Sequence, residues 1–421
     1  MNGRDLSVVV FGATGITGRQ VAAYLAQRAA ESEIRWAVAG RDPAKIEHVL
    51  GKIGVAAPEI LRADLDDPAT LEEIASRARV VLNLVGPYSR HGEPVIRACI
   101  AAGSHYADLT GEIPFVRRMI DAHQQEALAA GVKIVNVSGF EALPADLAVL
   151  LGAETARSRW SEELEAVNLS AHISLSGRMP GVSNMVSGGT LQSLAEAFAD
   201  KRSGLISDPA ALLTDAGDAG LVRRANPMPL APWFDADGEA IGPMTPVINI
   251  NPPVIHRTAA LSAAEEDRTF EPFHYREGMA LSMLPTMPLR YAVAGLTTAS
   301  LIGTSALART PSPLRRGIAM TLRKALPGAG FGPAGDSLEQ WSWRLGVDAT
   351  TANGRRVRVD ADGDGHPGYL STARMLGEAG LLLAEEGTTP ERTGFLTPAT
   401  ALGTAQIDRF QRAGMRLRVS S

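Results

Sequence analysis

A doubly wound parallel α/β sheet followed by a second α+β domain is the architecture this sequence predicts, and three observations predict it. The chain opens with an apolar run that stops on Gly12 and continues as Gly-x-x-Gly-x-x-Gly into a segment with helical spacing. Strand-like and helix-like segments then alternate through the first third of the chain. Beyond it the alternation gives way to longer half-buried strand patterns separated by Pro- and Gly-rich loops.

The first element is VVVFGATGITGR, Val8 to Arg19. A strand that turns on glycines and launches a helix points backbone N–H groups and the positive helix end at a pyrophosphate. Gly12 permits the tight turn, Gly15 lets phosphates approach the backbone, and Gly18 lets the helix pack on the strand. Val21, Leu25 and Arg28 continue at helical spacing. Gly12, Ala13, Thr14, Gly15, Ile16 and Gly18 therefore read as the phosphate turn of a Rossmann-type dinucleotide-binding domain.

The second strand, Ile34–Ala39, ends in Gly40-Arg41. An NAD enzyme usually carries Asp or Glu there to hold the ribose 2′-hydroxyl. A guanidinium instead attracts a 2′-phosphate, with Lys45 one helical turn on as a second cation, so NADP (as NADPH) is favoured over NAD. A helix at Pro43–Lys52, a strand at Glu59–Ala63 and a helix from Pro68 follow. The strand Val80–Val85 leads to Gly86-Pro87-Tyr88, then come a helix about His91–Ala102, the strand His105–Asp108, a helix opened by Pro114 and the strand Lys133–Val137. In a parallel sheet wrapped by helices, ligands sit at the strand carboxyl ends. Chemistry is therefore expected where Gly86–Tyr88, Asp108–Glu112 and Ser138–Glu141 meet. Asp64 and Leu65 are placed at the adenine, Gly86 and Pro87 beside the nicotinamide, and Asp108 with Glu112 at the nicotinamide ribose; alternatively, Glu112 caps the helix around Pro114.

From residue 151 the pattern is that of the second domain, a sheet over the cofactor mouth. Ala166–Ser176, Val254–Leu261, Thr269–Met279 and Trp341–Arg358 read as strand-rich, with Asn353-Gly354 a hairpin turn. Ala225–Gly242 and Pro327–Gly335 read as loops, and a final helix, Tyr369–Glu385, as returning to the first domain. The expected division is a dinucleotide-binding domain at 1–150, a substrate and dimerisation domain at 151–365, and a C-terminal helical segment at 366–421.

With 421 residues, 45% of them hydrophobic, the chain can build two cores. A net charge of -5 argues against a general nucleic-acid binder. The single cysteine, Cys99, forms no intramolecular disulfide and fits a reducing compartment. No basic start with an apolar signal core precedes the first strand, so a cytoplasmic protein is expected.

The chain resembles the saccharopine dehydrogenase-like oxidoreductases, and within them the mycobacterial-type trans-acting enoyl reductases. The matching pieces are GATGITGR, AGR at Arg41, VGPYSRHG from Val85, YADLTGE from Tyr106, SGFEALPADL from Ser138, VSGGT from Val186, FHYREGM from Phe273, PGAGFGP from Pro327, GYLSTARM from Gly368 and LTPATALG from Leu396. They recur in family order along nearly the whole chain. The resemblance implies a nicotinamide-dependent reductase of an enoyl intermediate delivered by a polyketide synthase during cell-envelope lipid synthesis. Where relatives often read Gly-Phe-Asp-Ser-x-Pro, this chain has Gly139-Phe140-Glu141-Ala142-Leu143-Pro144, which puts any role of that Asp–Ser pair in doubt here.

Enoyl reduction needs a hydride at the β-carbon, stabilisation of the enolate oxygen and a proton for the α-carbon. No tyrosine has a lysine four residues on, so the short-chain dehydrogenase acid is absent. Tyr88 and His91 are the best-placed donors, against plainer roles in packing and in starting a helix. Asp360, Asp362, Asp364 and Gly365 imitate the opening of a calcium loop, but Ser371 stands where its closing Glu belongs and Pro367 interrupts it; no metal is expected. Tyr291–Ala308 is 18 residues without a charge, bracketed by Arg290 and Arg309 and followed by Arg315, Arg316, Arg323 and Lys324. A buried helix, a peripheral membrane-surface helix and a homodimer contact compete for it.

The preferred reading is NADP-dependent reduction of a long-acyl or polyketide thioester, free or on a synthase carrier domain. The alternatives are hydride transfer at a C–N bond, as in true saccharopine dehydrogenases, and a non-catalytic, lipid-associated NADPH-binding protein. A polar pocket with cationic residues for amino-acid carboxylates would favour the C–N reaction, and a long apolar groove an acyl chain.

Overall fold

The structure, a computed structural model, describes residues 4–56, 59–176, 200, 202–228, 231–243, 250–281, 284, 286–311, 313, 317 and 337–420. In chain order the first part comprises β1 (Leu6–Phe11), α1 (Ile16–Glu31), β2 (Trp36–Gly40), α2 (Pro43–Gly51), β3 (Ile60–Arg62), α3 (Pro68–Arg77), β4 (Ala78–Asn83), α4 (Tyr88–Ala102), β5 (His105–Asp108), α5 (Ile113–Ala129), β6 (Lys133–Val135) and α6 (Leu143–Trp160). Next come β7 (Leu164–Leu175), α7 (Ala216–Ala225), β8 (Trp233–Phe234), β9 (Ala240–Gly242), α8 (Asn251–Glu265), β10 (His274–Ala280) and α9 (Met287–Ala308). The last are β11 (Trp341–Thr351), β12 (Arg356–Asp364), α10 (Thr372–Ala384), β13 (Gly394–Leu396), α11 (Pro398–Leu402) and β14 (Met415–Ser420). The expected VSGGT and PGAGFGP motifs, the Pro327–Gly335 loop and the basic residues 315, 316, 323 and 324 lie outside the described residues.

The first sheet runs β13-β6-β5-β4-β1-β2-β3, and all its pairings are parallel. β1 carries Val8, Val9 and Val10 at 0% exposure, because a parallel strand with helices on both faces has no solvent side. The strand order reverses between β1 and β4, which opens a crevice at their carboxyl ends. The second sheet, β14-β12-β11-β7-β10-β9-β8, is antiparallel except for β7 with β10. Its β11–β12 hairpin turns at Asn353-Gly354, where Gly354 takes φ +77°.

The C-terminal segment departs from the helical segment expected at 366–421, since it adds a strand to each sheet. α10 packs against α1 and β4, where Glu378, 0% exposed, accepts hydrogen bonds from Tyr24 (2.5 Å), Arg28 (3.2 Å) and Arg409 (3.0 Å). Removing one partner of such a buried ion pair costs about 3–5 kcal/mol. α6 packs on the second sheet at β11 and β12, and its Asp146 accepts bonds from Thr258 of α8 (2.5 Å) and the Ala399 amide of α11 (2.8 Å).

Three further expectations are corrected. Val254–Leu261 belongs to α8, not to a strand: Asn251-Pro252-Pro253 starts a helix, and Val254, Ile255, Thr258 and Ser262 bury one helical face. Ala225–Gly242 contains β8 and β9 as well as loop. The buried-helix reading of 291–308 fails, because α9 buries Ala294, Leu301, Ser305 and Ala308 while Tyr291 (52%) and Leu296 (70%) face outward. Asp360 and Asp362 sit on β12, where arginines use both carboxylates.

Candidate active site

The glycine turn forms as its spacing requires. Gly12 takes φ +86°, and a Cβ on it would lie 2.9 Å from the Leu84 carbonyl at the end of β4. A Cβ on Gly18 would lie 2.1 Å from the Gly12 oxygen, so α1 can approach the turn only with glycine there. Gly15 differs: it is exposed, takes φ -73°, and its nearest neighbour to an added Cβ is 3.4 Å away. Nothing in the protein's own packing demands glycine at 15, whereas close approach of a pyrophosphate does. Gly15 is also the N-cap of α1 and offers no side-chain cap, which leaves the first-turn amides for an anion. Ala13 and Ile16 are buried beneath this cradle and Thr14 is half-buried at its rim.

Arg41 and Lys45 are exposed past the end of β2, and among the described residues no hydrogen bond or ion pair engages either side-chain cation. Asp42, next to Arg41, caps α2 by accepting from the Lys45 amide at 3.0 Å. Arg62, not singled out from the sequence, is exposed at the end of β3 and in register with Gly40. Asp64 turns its carboxylate onto the Asp66 amide (3.1 Å), and Leu65 is half-buried beside it. The residues present fit a dinucleotide with its adenosine end over β2 and β3.

On the other side of the crevice, several expected ligand-facing groups form internal struts. Asp108 is 0% exposed, and its carboxylate accepts from the Tyr106 hydroxyl (2.8 Å), Asn136 (2.8 Å), the Thr110 amide (3.0 Å) and the Val137 amide (3.2 Å). It binds strand ends together instead of facing the ribose, and burial pushes its pKa up to about 6. Val137 is held at φ +59°, an uncommon backbone for a β-branched residue. Glu112 caps neither its own helix nor a ligand: its oxygens accept from the Tyr88 (2.8 Å) and Ser89 (2.9 Å) amides at the start of α4. Tyr88 is likewise corrected as a donor, because its buried hydroxyl gives its proton to the Asn83 carbonyl (3.1 Å) and accepts from the Leu109 amide (3.4 Å). Burial holds that phenol well above its usual range. His91 is half-buried in the first turn of α4, and Gly86 is exposed on the connection before it, with Pro87 half-buried behind.

The connection from β6 to α6 carries Glu141, which the sequence places at an expected strand end without marking it as a proton donor. Glu141 Oε2 is buried with no hydrogen-bond partner among the described residues, and burial raises the carboxyl to about 7. A Cβ on Gly139 would lie 2.6 Å from that oxygen, so glycine makes the room the carboxyl occupies. The same loop meets the second domain: the Phe140 amide donates to Thr372 Oγ1 (2.9 Å), and the Phe140 ring packs on Trp343 at 5.0 Å.

A cleft of about 420 Å³ opens in the second domain between β10, the start of α8 and α9. Ile250, just before α8, abuts Gly111 of the β5 connection, which sets the cleft's α8 wall beside the strand ends. On the wall, Glu277 accepts from Tyr275 (2.6 Å) and Asn251 (2.8 Å). The three lining arginines are engaged: Arg223 with Asp208 (2.7 Å), Arg276 with Asn168 (2.6 Å), and Arg309 with the Ser305 carbonyl (3.4 Å).

Residues 8–135 match the saccharopine dehydrogenase NADP-binding domain family, so the site is one for a nicotinamide dinucleotide. A trans-acting enoyl reductase of Mycobacterium ulcerans is 33% identical over 98% of this chain and 97% of its own length. The chain belongs to the trans-acting enoyl reductase family. A second member, from Mycobacterium tuberculosis, is 32% identical over 98% of this chain and 97% of its own. An apo saccharopine dehydrogenase from Saccharomyces cerevisiae shares the fold, at 14% identity and TM-score 0.52, over 99% of this chain and 100% of that one.

Proposed function

We propose that this trans-acting enoyl reductase family member uses NADPH to reduce the α,β-double bond of an acyl or polyketide thioester, taken free or from a synthase carrier domain. The observation that carries the reading is near-full-length similarity to enoyl reductases in a chain whose Arg41 guanidinium is unengaged at the position of a 2′-phosphate. The bound cofactor supplies the hydride. The Gly12–Gly18 turn holds its pyrophosphate, Arg41 and Lys45 its 2′-phosphate, and Gly86 and Pro87 border its nicotinamide. NADPH consumption tests this with a panel of enoyl thioesters beside saccharopine-type substrates; turnover only with the latter contradicts it.

The outward face of α9 belongs to the same reading. It carries Leu289, Tyr291, Leu296 and Ile302 and no charged residue, and Arg290 and Arg309 stand near its ends. An apolar helix face flanked by cations suits the surface of an anionic bilayer, from which a lipid-linked acyl chain could be drawn, and Leu301 of the same helix lines the cleft. The protein is expected to be cytoplasmic and to co-sediment with anionic, but not neutral, phospholipid vesicles. Leu296→Asp should weaken that binding and leave NADPH affinity unchanged. A concentration-dependent homodimer lost in Leu296→Asp, without vesicle binding, would put a second copy on this face instead.

A further inference from the structure

We propose that Glu141 is the proton donor of this site, delivering a proton to the substrate α-carbon; the proposal rests on the enoyl-reductase reading. Placement comes first. Glu141 sits on the connection after β6, in the row of strand ends β4, β5 and β6, on the opposite side of the crevice from Arg41. That is the side where the nicotinamide end of a dinucleotide lies when its adenosine occupies β2 and β3. The loop is also the seam where Phe140 touches Thr372 and Trp343, so a substrate reaching the crevice from the second domain passes it.

Availability comes second. The other buried carboxylates around the two-sheet seam are consumed: Asp108 by four donors, Glu112 by the α4 amides, Asp146 by Thr258 and Ala399, and Glu277 by Tyr275 and Asn251. Glu141 Oε2 has no such partner, and no salt bridge among the described residues reaches the residue. Tyr88 is a titratable group that interacts with its charge across the site, and among the described residues no cation is one of the groups acting on Glu141 to hold it ionised. A carboxyl with one buried oxygen unpartnered holds its proton more tightly, and burial, outweighing a hydrogen bond from its own backbone, raises this one to about 7. A neutral acid near neutral pH is what α-carbon protonation requires.

The step balances. Hydride adds to the β-carbon, the double-bond electrons move to the α-carbon and thioester oxygen as an enolate, and the Glu141 O–H bond breaks as the α C–H bond forms. Glu141 is left as a carboxylate and regains a proton from water.

Glu141→Gln keeps the shape and removes the acid. With NADPH and an α,β-unsaturated acyl N-acetylcysteamine thioester, kcat should fall by about 10²–10⁴-fold. The NADPH Kd and the thermal midpoint should stay those of the native chain, and Glu141→Asp should retain an intermediate rate. Two further readouts separate chemistry from packing. A protonated-carboxyl infrared band present at neutral pH should disappear in Glu141→Gln, and residual product formed in D₂O should carry α-deuterium on both faces, against one face for the native enzyme. Native kcat in Glu141→Gln, or one-faced deuterium in its product, overturns the proposal and leaves the enoyl-reductase reading standing. Absence of enoyl reduction by the unsubstituted protein overturns both.

Discussion

Gly15→Val should abolish NADPH binding in a protein that still folds. The added side chain meets only ordinary contact distances within the protein, the nearest atom to its Cβ being 3.4 Å away, and φ -73° with ψ 168° is extended backbone that valine adopts readily. Replacing glycine at a helix N-cap costs at most about 1 kcal/mol. The branched side chain instead fills the place where the pyrophosphate must touch the backbone. Titration calorimetry should therefore detect no NADPH binding, while circular dichroism and the melting curve remain native-like. Gly18→Val gives the contrasting case, since its Cβ would collide with the Gly12 oxygen at 2.1 Å and the fold itself should suffer. Normal NADPH affinity in Gly15→Val would mean that the turn is structural only.

Arg41→Ala should separate the two dinucleotides. A charged hydrogen bond to the 2′-phosphate contributes about 1.5–3 kcal/mol, so NADPH binding should weaken by about ten- to a hundredfold. NADH, lacking that phosphate, should bind almost as before. The asymmetry has a structural reason: Asp42, the acid next to Arg41 in sequence, is occupied as the cap of α2. Equal losses for both dinucleotides in calorimetry would remove Arg41 from the 2′-phosphate.

The first sheet was legible because its determinants are local. β1, the glycine turn and the α1 face lie within one contiguous stretch, and each later strand of the sheet up to β6 is a short apolar run followed by a helix signal. α8 misled because Val254 and Ile255 suggest a strand, whereas its helical face is defined by burial against α6 that no local pattern displays. The cofactor cradle could be read for the same reason as β1. The nicotinamide side could not, since the partner that occupies each group lies far along the chain. Glu112 caps α4 from 24 residues away, and Asp108 draws two donors from the β6 connection, 28 and 29 residues on. Sequence shows the polar residue at the strand end and not whether its lone pairs are spent. Tyr88 looked available and is engaged; Glu141 looked like a lost motif and carries an unpartnered oxygen.

The fate of the hydride tests the central claim most directly. With NADPH deuterated at the transferable C4 position and an α,β-unsaturated acyl thioester, mass spectrometry and NMR of the product should find one deuterium, bound to the β-carbon. Deuterium on a carbon attached to nitrogen, seen only with saccharopine-type substrates, or its absence from every product, would contradict assignment of this chain as an NADPH-dependent enoyl reductase.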